Sequence, residues 1–524
     1  MVQSKPVNYT GYFSSPSDPL LERVWWTAAY TVRTNLLQNH FGSVLMDRGD
    51  REAWTGDSHP AQATALVAFH NLAAIRQNLN SSINAAGAGF PTYQCYWVLS
   101  VIDYYHYTGN SSLLKQHSAK MGQLLWELLK TVLTHPDPSS RQPGLGFVGW
   151  DDRTGAGFSN SSCVECERDF RMILLRAANE TAVALAISGV DPQLAATLKQ
   201  KSALLAQMLR RPTVTGHPWH TPLLLASASD AVNAGLATEA EQDAMFARVM
   251  NDSLQICQLS PFNTYWTLQA LGRMGRAEQA LFVLRRCYGG MIAAGATTFW
   301  ETFAQAPEYI SGDLPPPPAH QPALVPWTWS GITSLCHPWA AGPAYWMSQN
   351  LLGVRPLSPG FKTFEIAPML TPSLPSVSGI VPTVHGAFEV SVDLSLGTAN
   401  VTVPSGLHGR VAIPLLPGRL LTALWINGSV VSMEPESTHR QGRLPLVVTR
   451  NGIASGRYRH GDGACWIEGI GPGTHRLRWT LSASSARVEH REPTPFPPPR
   501  YRAQFLRRDN KTSGNWKKAS AVAT

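Results

Sequence analysis

The stretch Asp18-Pro-Leu-Leu-Glu-Arg-Val-Trp-Trp-Thr-Ala-Ala-Tyr30 sets the reading of the first two-thirds of the chain. Asp18 reads as a cap and Pro19 as the first helical residue, where the missing N–H has no intrahelical partner to lose. The helix so opened runs through Trp25, Trp26 and Tyr30, with apolar residues at three- and four-residue steps. The same period returns at His59–Gln77, Cys95–Tyr107, Ser112–Thr134, Cys166–Ile187, Asp191–Arg210, Thr238–Ile256, Pro261–Met274, Ala277–Ala293 and Pro338–Leu352. Gly/Pro-rich loops lie between, Pro136–Ser159 and Ala306–Pro326 among the long ones. About ten helices with alternating short and long connections predict stacked helical hairpins, and no fixed-period repeat points to a solenoid.

After Gly353 the texture changes. Short β-branched runs at Thr363–Ile366, Ala387–Val392, Val401–Val403, Arg410–Ile413, Ala423–Ile426 and His475–Trp479 alternate with Gly, Pro and Asn turns. They predict an antiparallel β-sandwich appended to the helical part. The expected division is a lead-in at 1–16, a helical domain at 17–352, a sandwich at 353–486 and a basic, Pro-containing, disordered tail at 487–524.

Composition excludes several functions. The 524 residues are 44% hydrophobic and 15% charged, enough for large cores in two or three domains. The formal charge of +8 is mostly local: nine Lys/Arg against three acids from Arg487 onward leave the body at +2. A nearly neutral body argues against nucleic acid as a partner, and a solvated end is the expectation for the tail. No stretch reaches the ~18 uninterrupted apolar residues of a membrane span. Sequons begin at Asn8, Asn80, Asn110, Asn160, Asn179, Asn251, Asn400, Asn427 and Asn510, a density that favours a secreted or lysosome-like compartment. The N-terminus carries no signal peptide, which leaves a cytoplasmic location open and suggests a chain lacking its natural N-terminal part. Seven cysteines fit a disulfide or two with a thiol left over, and Cys163-Val-Glu-Cys166 reads as a local disulfide or two plain thiols.

The densest chemistry is Met46-Asp-Arg-Gly-Asp-Arg-Glu-Ala-Trp-Thr-Gly-Asp57, with four carboxylates, two arginines and a Trp in twelve residues. A solvated loop of ion pairs is the bland interpretation. Against it, Trp54 sets an aromatic platform beside the acids. In Gly295-Ala-Thr-Thr-Phe-Trp-Glu-Thr-Phe303, Glu301 has few local polar partners, so it faces a polar cleft or pairs with an Arg in a core. Trp300 stands beside it. Gly149-Trp-Asp-Asp-Arg153 offers Trp150 and Asp151, or a surface turn. Ser334-Leu-Cys-His-Pro-Trp339 offers His337 and Trp339 before a helix start, or a structural histidine. Nucleotide-binding and metalloprotease signatures are absent from the sequence. Acids and Trp spread over the loops of a helical domain fit glycoside hydrolysis, in which one carboxyl protonates the leaving oxygen and another activates water.

At these residues the sequence resembles the α-L-rhamnosidases of glycoside hydrolase family 78. The resemblance runs in order through Asp47–Asp57, Trp97–Tyr105, Phe147–Asp152, Ser260–Phe262, Gly295–Glu301, Ser334–Trp339, Leu352–Pro356 and Gly379–Gly386. It implies a mainly α fold, an (α/α)6 six-hairpin catalytic barrel followed by a smaller β-sandwich. It also implies an inverting release of terminal α-L-rhamnose, with Glu301 as general base. The general acid is Asp50, at the ungapped position four residues before Trp54, or Glu52 if the loop is shorter here. The resemblance makes Asp57 a ligand of sugar hydroxyls and Trp54 and His337 sugar-site residues. Gly49 falls where the family has a further Asp, leaving Asp47 as a shifted candidate, and Arg51, Trp150, Asp151, Trp300 and Trp339 complete the expected binding set. The mechanism needs no metal and no cofactor, and the expected partner is carbohydrate. The sequence leaves oligomeric state undetermined. The rivals are a trehalase-like activity on the same barrel and a carbohydrate-binding protein without catalysis.

Overall fold

The computed structural model describes residues 6–37, 39–42, 53–84, 90–135, 148, 164–213, 215–252, 256, 260–303, 334–416, 419, 421–431, 447–448 and 464–482. Loop residues 136–147, 149–163 and 304–333, and the tail, lie outside these residues.

The opening helix forms as its sequence dictates. In α1 (Pro19–Asn35) the Asp18 carboxylate accepts from the Leu20 and Leu21 amides, and its other oxygen takes a 2.7 Å ion pair from Arg285. Six helices close an inner ring: α2 (Thr55–Ala68), α4 (Pro91–Thr108), α6 (Val164–Ser188), α8 (Leu225–Asn233), α10 (Pro261–Arg273) and α13 (Pro343–Asn350), with α13 returning against α2. Outside them stand α1, α3 (Leu72–Ser82), α5 (Ser111–Thr134), α7 (Pro192–Leu209) and α9 (Glu239–Met245). The last outer member is a rod of α11 (Ala277–Val283), a π-helical turn (Leu284–Tyr288) and α12 (Gly289–Ala293). Burial separates the layers. All fourteen residues of α2 are buried, whereas α7 buries Ala195, Leu198, Ser202 and Leu205, one stripe at helical spacing. This is the six-hairpin architecture, and each inner helix follows an outer one, so the inner N-termini share one end of the barrel.

The boundaries depart from the periodicity in places. The run His59–Gln77 is two helices, because His70 adopts a left-handed φ of 51° and Asn71 caps α3 through the Ala74 amide. Thr238–Ile256 ends as helix at Met250, in a π-helical turn. Helix α8 escaped notice because its Leu-Ala-Ser-Ala-Ser-Asp-Ala-Val-Asn sequence is short and built from small residues, yet every one is buried.

The C-terminal part is two sheets. The larger has the order β1-β4-β5-β6-β12-β8-β9 and the smaller β10-β11-β7-β3-β2. Their strands are β1 (Tyr12–Ser14), β2 (Val354–Pro356), β3 (Thr363–Ile366), β4 (Ser376–Thr383), β5 (Gly386–Asp393), β6 (Thr398–Val403), β7 (His408–Pro414), β8 (Leu421–Ile426), β9 (Ser429–Val430), β10 (Val447–Val448), β11 (Ala464–Ile470) and β12 (Gly473–Leu481). Phe364 of β3 meets Phe388 of β5 at 4.9 Å between ring centroids, joining the sheets. The pairs β3–β7 and β10–β11 are parallel, so the smaller sheet is mixed rather than purely antiparallel.

Strand β1 precedes the barrel in sequence but pairs with β4 of the sandwich, Tyr12 opposite Ile380. The lead-in just before it donates from Thr10 and Gly11 to the Ala68 carbonyl at the end of α2. At the end of α4, Tyr107 donates from its hydroxyl to the Pro382 carbonyl at 2.5 Å. The sandwich therefore docks at the C-terminal end of these inner helices. The opposite mouth is left for the site.

Candidate active site

Three inner-helix N-termini bring the site together. Trp54 precedes α2, and Asp57 lies in its first turn, where the helix dipole favours an anion. Pro91 opens α4, which sets Tyr93 in its first turn. His337 precedes a 3-10 turn, Pro338–Ala341, that leads into α13.

The Tyr93 hydroxyl donates to Asp57 Oδ2 at 2.8 Å, and Asp57 Oδ1 stands 2.7 Å from His337 Nε2. On the other side of the imidazole, His337 Nδ1 lies 3.9 Å from Glu301 Oε2. Asp57, His337 and Glu301 are all buried, at 4%, 2% and 2% exposure. Two carboxylates so placed are tolerable because each is hydrogen-bonded and the histidine lies between them. Burial pushes the Tyr93 phenol well above its ordinary range, and the Asp57 charge adds to the effect. Tyr93 is thus a donor to Asp57 and never its competitor for negative charge.

Glu301 is positioned by backbone. Its amide donates to the Ser334 carbonyl at 2.9 Å, and the Ser334 amide returns to Glu301 Oε2 at 2.8 Å. The His337 amide donates to the Phe299 carbonyl, while the Phe299 amide donates to Thr31 Oγ1 of α1. The Trp339 indole N–H reaches the Glu301 carbonyl at 3.0 Å, and its ring stacks on Phe262. Segments 299–301 and 334–337 are thereby fixed to each other and to the barrel, carrying Glu301 and His337 with them.

Of the residues expected from sequence, Asp57, Glu301 and His337 are in contact or near contact. Trp54 flanks them, stacked on Phe90 at 5.8 Å and edge-on to Tyr93 at 6.2 Å. Trp339 packs beneath, edge-on to His337, and buried Trp300 meets Phe303. Asp47, Asp50, Arg51, Glu52, Trp150 and Asp151 lie outside the described residues. Tyr93 escaped the sequence reading, although Phe90-Pro91-Thr92-Tyr93 carries the helix-start signal that would have placed it at the mouth.

Below this layer the barrel axis stays polar. His59 Nδ1 is 2.8 Å from Ser100 Oγ, and His59 Nε2 is 3.5 Å from Asp103. Arg176 donates to Glu180 at 2.9 Å. Burial, with the nearby Arg176 charge, holds His59 down at about 3. Burial and the Glu180 charge push Asp103 up to about 7, against the pull of Arg176 and Arg273. Cys166, at the start of α6, and Cys287 are disulfide-bonded, while Cys95, Cys336 and Cys465 are free.

Known proteins share the fold. The bacterial alpha-L-rhamnosidase 6 hairpin glycosidase domain matches residues 8–351, and the bacterial alpha-L-rhamnosidase C-terminal domain matches residues 353–422. An alpha-L-rhamnosidase of Alteromonas sp. (strain LOR) is 34% identical over 86 residues, 16% of this chain and 9% of that protein. The alpha-L-rhamnosidase structure from Dictyoglumus thermophilum superposes with a TM-score of 0.69 at 15% identity, covering 91% of this chain and 51% of that one. That of Streptomyces avermitilis, complexed with L-rhamnose, gives 0.63 at 15% identity, covering 92% and 43%. At these identities the likeness is one of fold. The chain spans about half the length of the first structure, or 51%, and the matches cover less of the other two proteins.

Proposed function

Since the chain belongs to the bacterial alpha-L-rhamnosidase six-hairpin glycosidase family, we propose that it releases terminal α-L-rhamnose from glycosides or polysaccharides with inversion. The observation that carries this reading is Glu301. It is a buried carboxylate whose Oε2 receives the Ser334 amide and faces His337 across 3.9 Å. Held in one orientation, it acts as the general base that takes a proton from water as the water attacks the anomeric carbon. Asp50 or Glu52, in the segment leading into Trp54, protonates the departing glycosidic oxygen. Inversion requires the two carboxyls about 6.5–9.5 Å apart, with room for water between base and sugar. Asp57 and His337 hold sugar hydroxyls, and Trp54 offers a face for the C–H surface of the ring. The charges of Asp57 and Glu301 also oppose the positive charge that develops in an oxocarbenium-like transition state.

An oxidising, secretory compartment goes with this reading. Its support is two disulfide-bonded cysteines together with exposed sequon asparagines such as Asn8, Asn251, Asn400 and Asn427. The test of that location is a downward mass shift on N-glycosidase treatment of the protein from its native source.

The test of activity is release of p-nitrophenol from p-nitrophenyl α-L-rhamnoside by wild type and Glu301→Gln. Turnover should fall by about 10²–10⁴-fold in the variant, and NMR of the first-formed sugar should show the inverted anomer. Unchanged turnover in Glu301→Gln would refute the base assignment. A folded wild type that binds rhamnose without hydrolysing any rhamnoside would favour the binding-only alternative.

A further inference from the structure

The Trp54-Thr55-Gly56-Asp57 turn is built around one side chain from another helix. Trp54 lies edge-on to the Tyr93 ring, and Thr55 Oγ1 donates to the Tyr93 carbonyl at 2.8 Å. A Cβ on Gly56 would fall 2.3 Å from Tyr93 Cε1 and 2.5 Å from Cδ1, so only glycine lets the ring lie this close. Asp57 then receives the phenol proton at 2.8 Å. Four successive residues of α2 and its approach thus engage Tyr93 through ring, backbone, space and charge.

A ring that only filled a core would need no hydroxyl aimed at a buried carboxylate. The hydroxyl holds Oδ2, which turns Oδ1 towards His337 Nε2 at 2.7 Å. With a proton on Nε2 engaged there, the ring is fixed in rotation and Nδ1 points at Glu301 Oε2. Nδ1 has no hydrogen-bond partner among the described residues. We propose that Tyr93 is a positioning residue of the site, acting through Asp57 to fix the orientation and proton inventory of His337 opposite Glu301. This rests on the glycosidase reading for its kinetic consequences and on geometry for the rest.

Among the described residues, the titratable groups facing His337 are Asp57 on α2 and Glu301, with Tyr93 on α4 reaching it through Asp57. Removing the phenol donor leaves Asp57 Oδ2 without its hydrogen bond, so the carboxylate holds the His337 ring less firmly.

The experiment is Tyr93→Phe, which keeps the ring against Trp54 and Phe90 and the carbonyl that Thr55 holds. Two readouts are taken. The first is kcat/KM on p-nitrophenyl α-L-rhamnoside against pH, with the melting temperature alongside. The second is NMR titration of the His337 imidazole, assigned against His337→Gln, which needs no turnover. The expected result is a loss in kcat/KM of about 10–100-fold, the scale of one hydrogen bond to a charged group. The acid limb and the His337 imidazole signals should both be displaced from those of the wild type. A purely structural tyrosine would lower the melting temperature and leave both curves where they were, which overturns the proposal. Failure of the glycosidase reading would show separately, as absent rhamnoside turnover in wild type, while the His337 titration still decides the role of Tyr93.

Discussion

At Gly56 the site makes its sharpest demand on a single residue. The Tyr93 ring occupies the place of a Cβ, so Gly56→Ala must move either the ring or the first turn of α2. Overpacking of this kind costs about 1–3 kcal/mol, and here it also disturbs the hydrogen bond to Asp57. Gly56→Ala should therefore lose both stability and turnover. The check is denaturant melting together with kcat/KM, and a variant that is destabilised yet fully active would show the contact to be structural only. The partners of this glycine were half legible in the sequence. Trp54 and Asp57 stood out because an aromatic beside acids is a recognisable pattern, whereas Tyr93 sits thirty-six residues beyond Asp57 in a stretch without charged residues. Local pattern names residues that carry charge. It does not name the neutral donor that a charge will need once buried.

Inner helices must satisfy polar groups that face the barrel axis, and this is the element-scale cost of a closed ring. His59 of α2, Asp103 of α4, and Arg176 and Glu180 of α6 meet there. Asp103 is raised from 3.8 to about 7. Between those values the folded protein keeps a proton that the unfolded chain has lost, so this contribution is full below pH 3.8 and is lost as pH rises through 7. His59 is lowered from 6.5 to about 3 and works in the opposite sense: its contribution is present above pH 6.5 and is lost as pH falls towards 3. Asp103→Asn removes only the first effect. Its stability relative to wild type should rise between pH 5 and pH 8, measured as the difference in urea midpoints. A difference independent of pH would mean that Arg176 and Arg273 already keep Asp103 ionised. None of this ladder was legible in advance, because helical periodicity counts apolar positions and does not say which polar residues turn to the axis, least of all in α2, which is buried on every side. The same blindness hid α8, whose nine residues hold only Leu225 and Val232 as large apolar side chains and yet are all buried.

Barrel and sandwich are joined by contacts that make two sequence textures into one folding unit. Strand β1 enters the larger sheet before the chain has built its first helix, and the lead-in bonds the end of α2. Tyr107 at the end of α4 reaches the Pro382 carbonyl with its hydroxyl and Phe361 with its ring, at 5.1 Å. Beside it Gly109 ends α4 at a φ of 71°, and its Cβ position lies 3.2 Å from the Gly360 Cα and 3.3 Å from the Pro359 carbonyl oxygen. Texture alone sets the expected change from helices to strands near Gly353. It could not show that β1 crosses the boundary, because three residues carry no usable alternation. The apolar core runs through both parts without a break, so calorimetry of the intact protein should give a single cooperative transition. Gly109→Ala should keep that single transition while lowering its midpoint, since a side chain in left-handed backbone costs about 1–2 kcal/mol and here also presses on Gly360 and Pro359. Resolution of the trace into two transitions, with only one of them moved by Gly109→Ala, would mean that the interface does not couple the parts. The mouth that carries Asp57 and Glu301, at the far end of the inner helices, would then owe the sandwich nothing for its stability. A single transition that falls together with the temperature at which rhamnoside turnover is lost would tie the site to the sandwich through the length of α4.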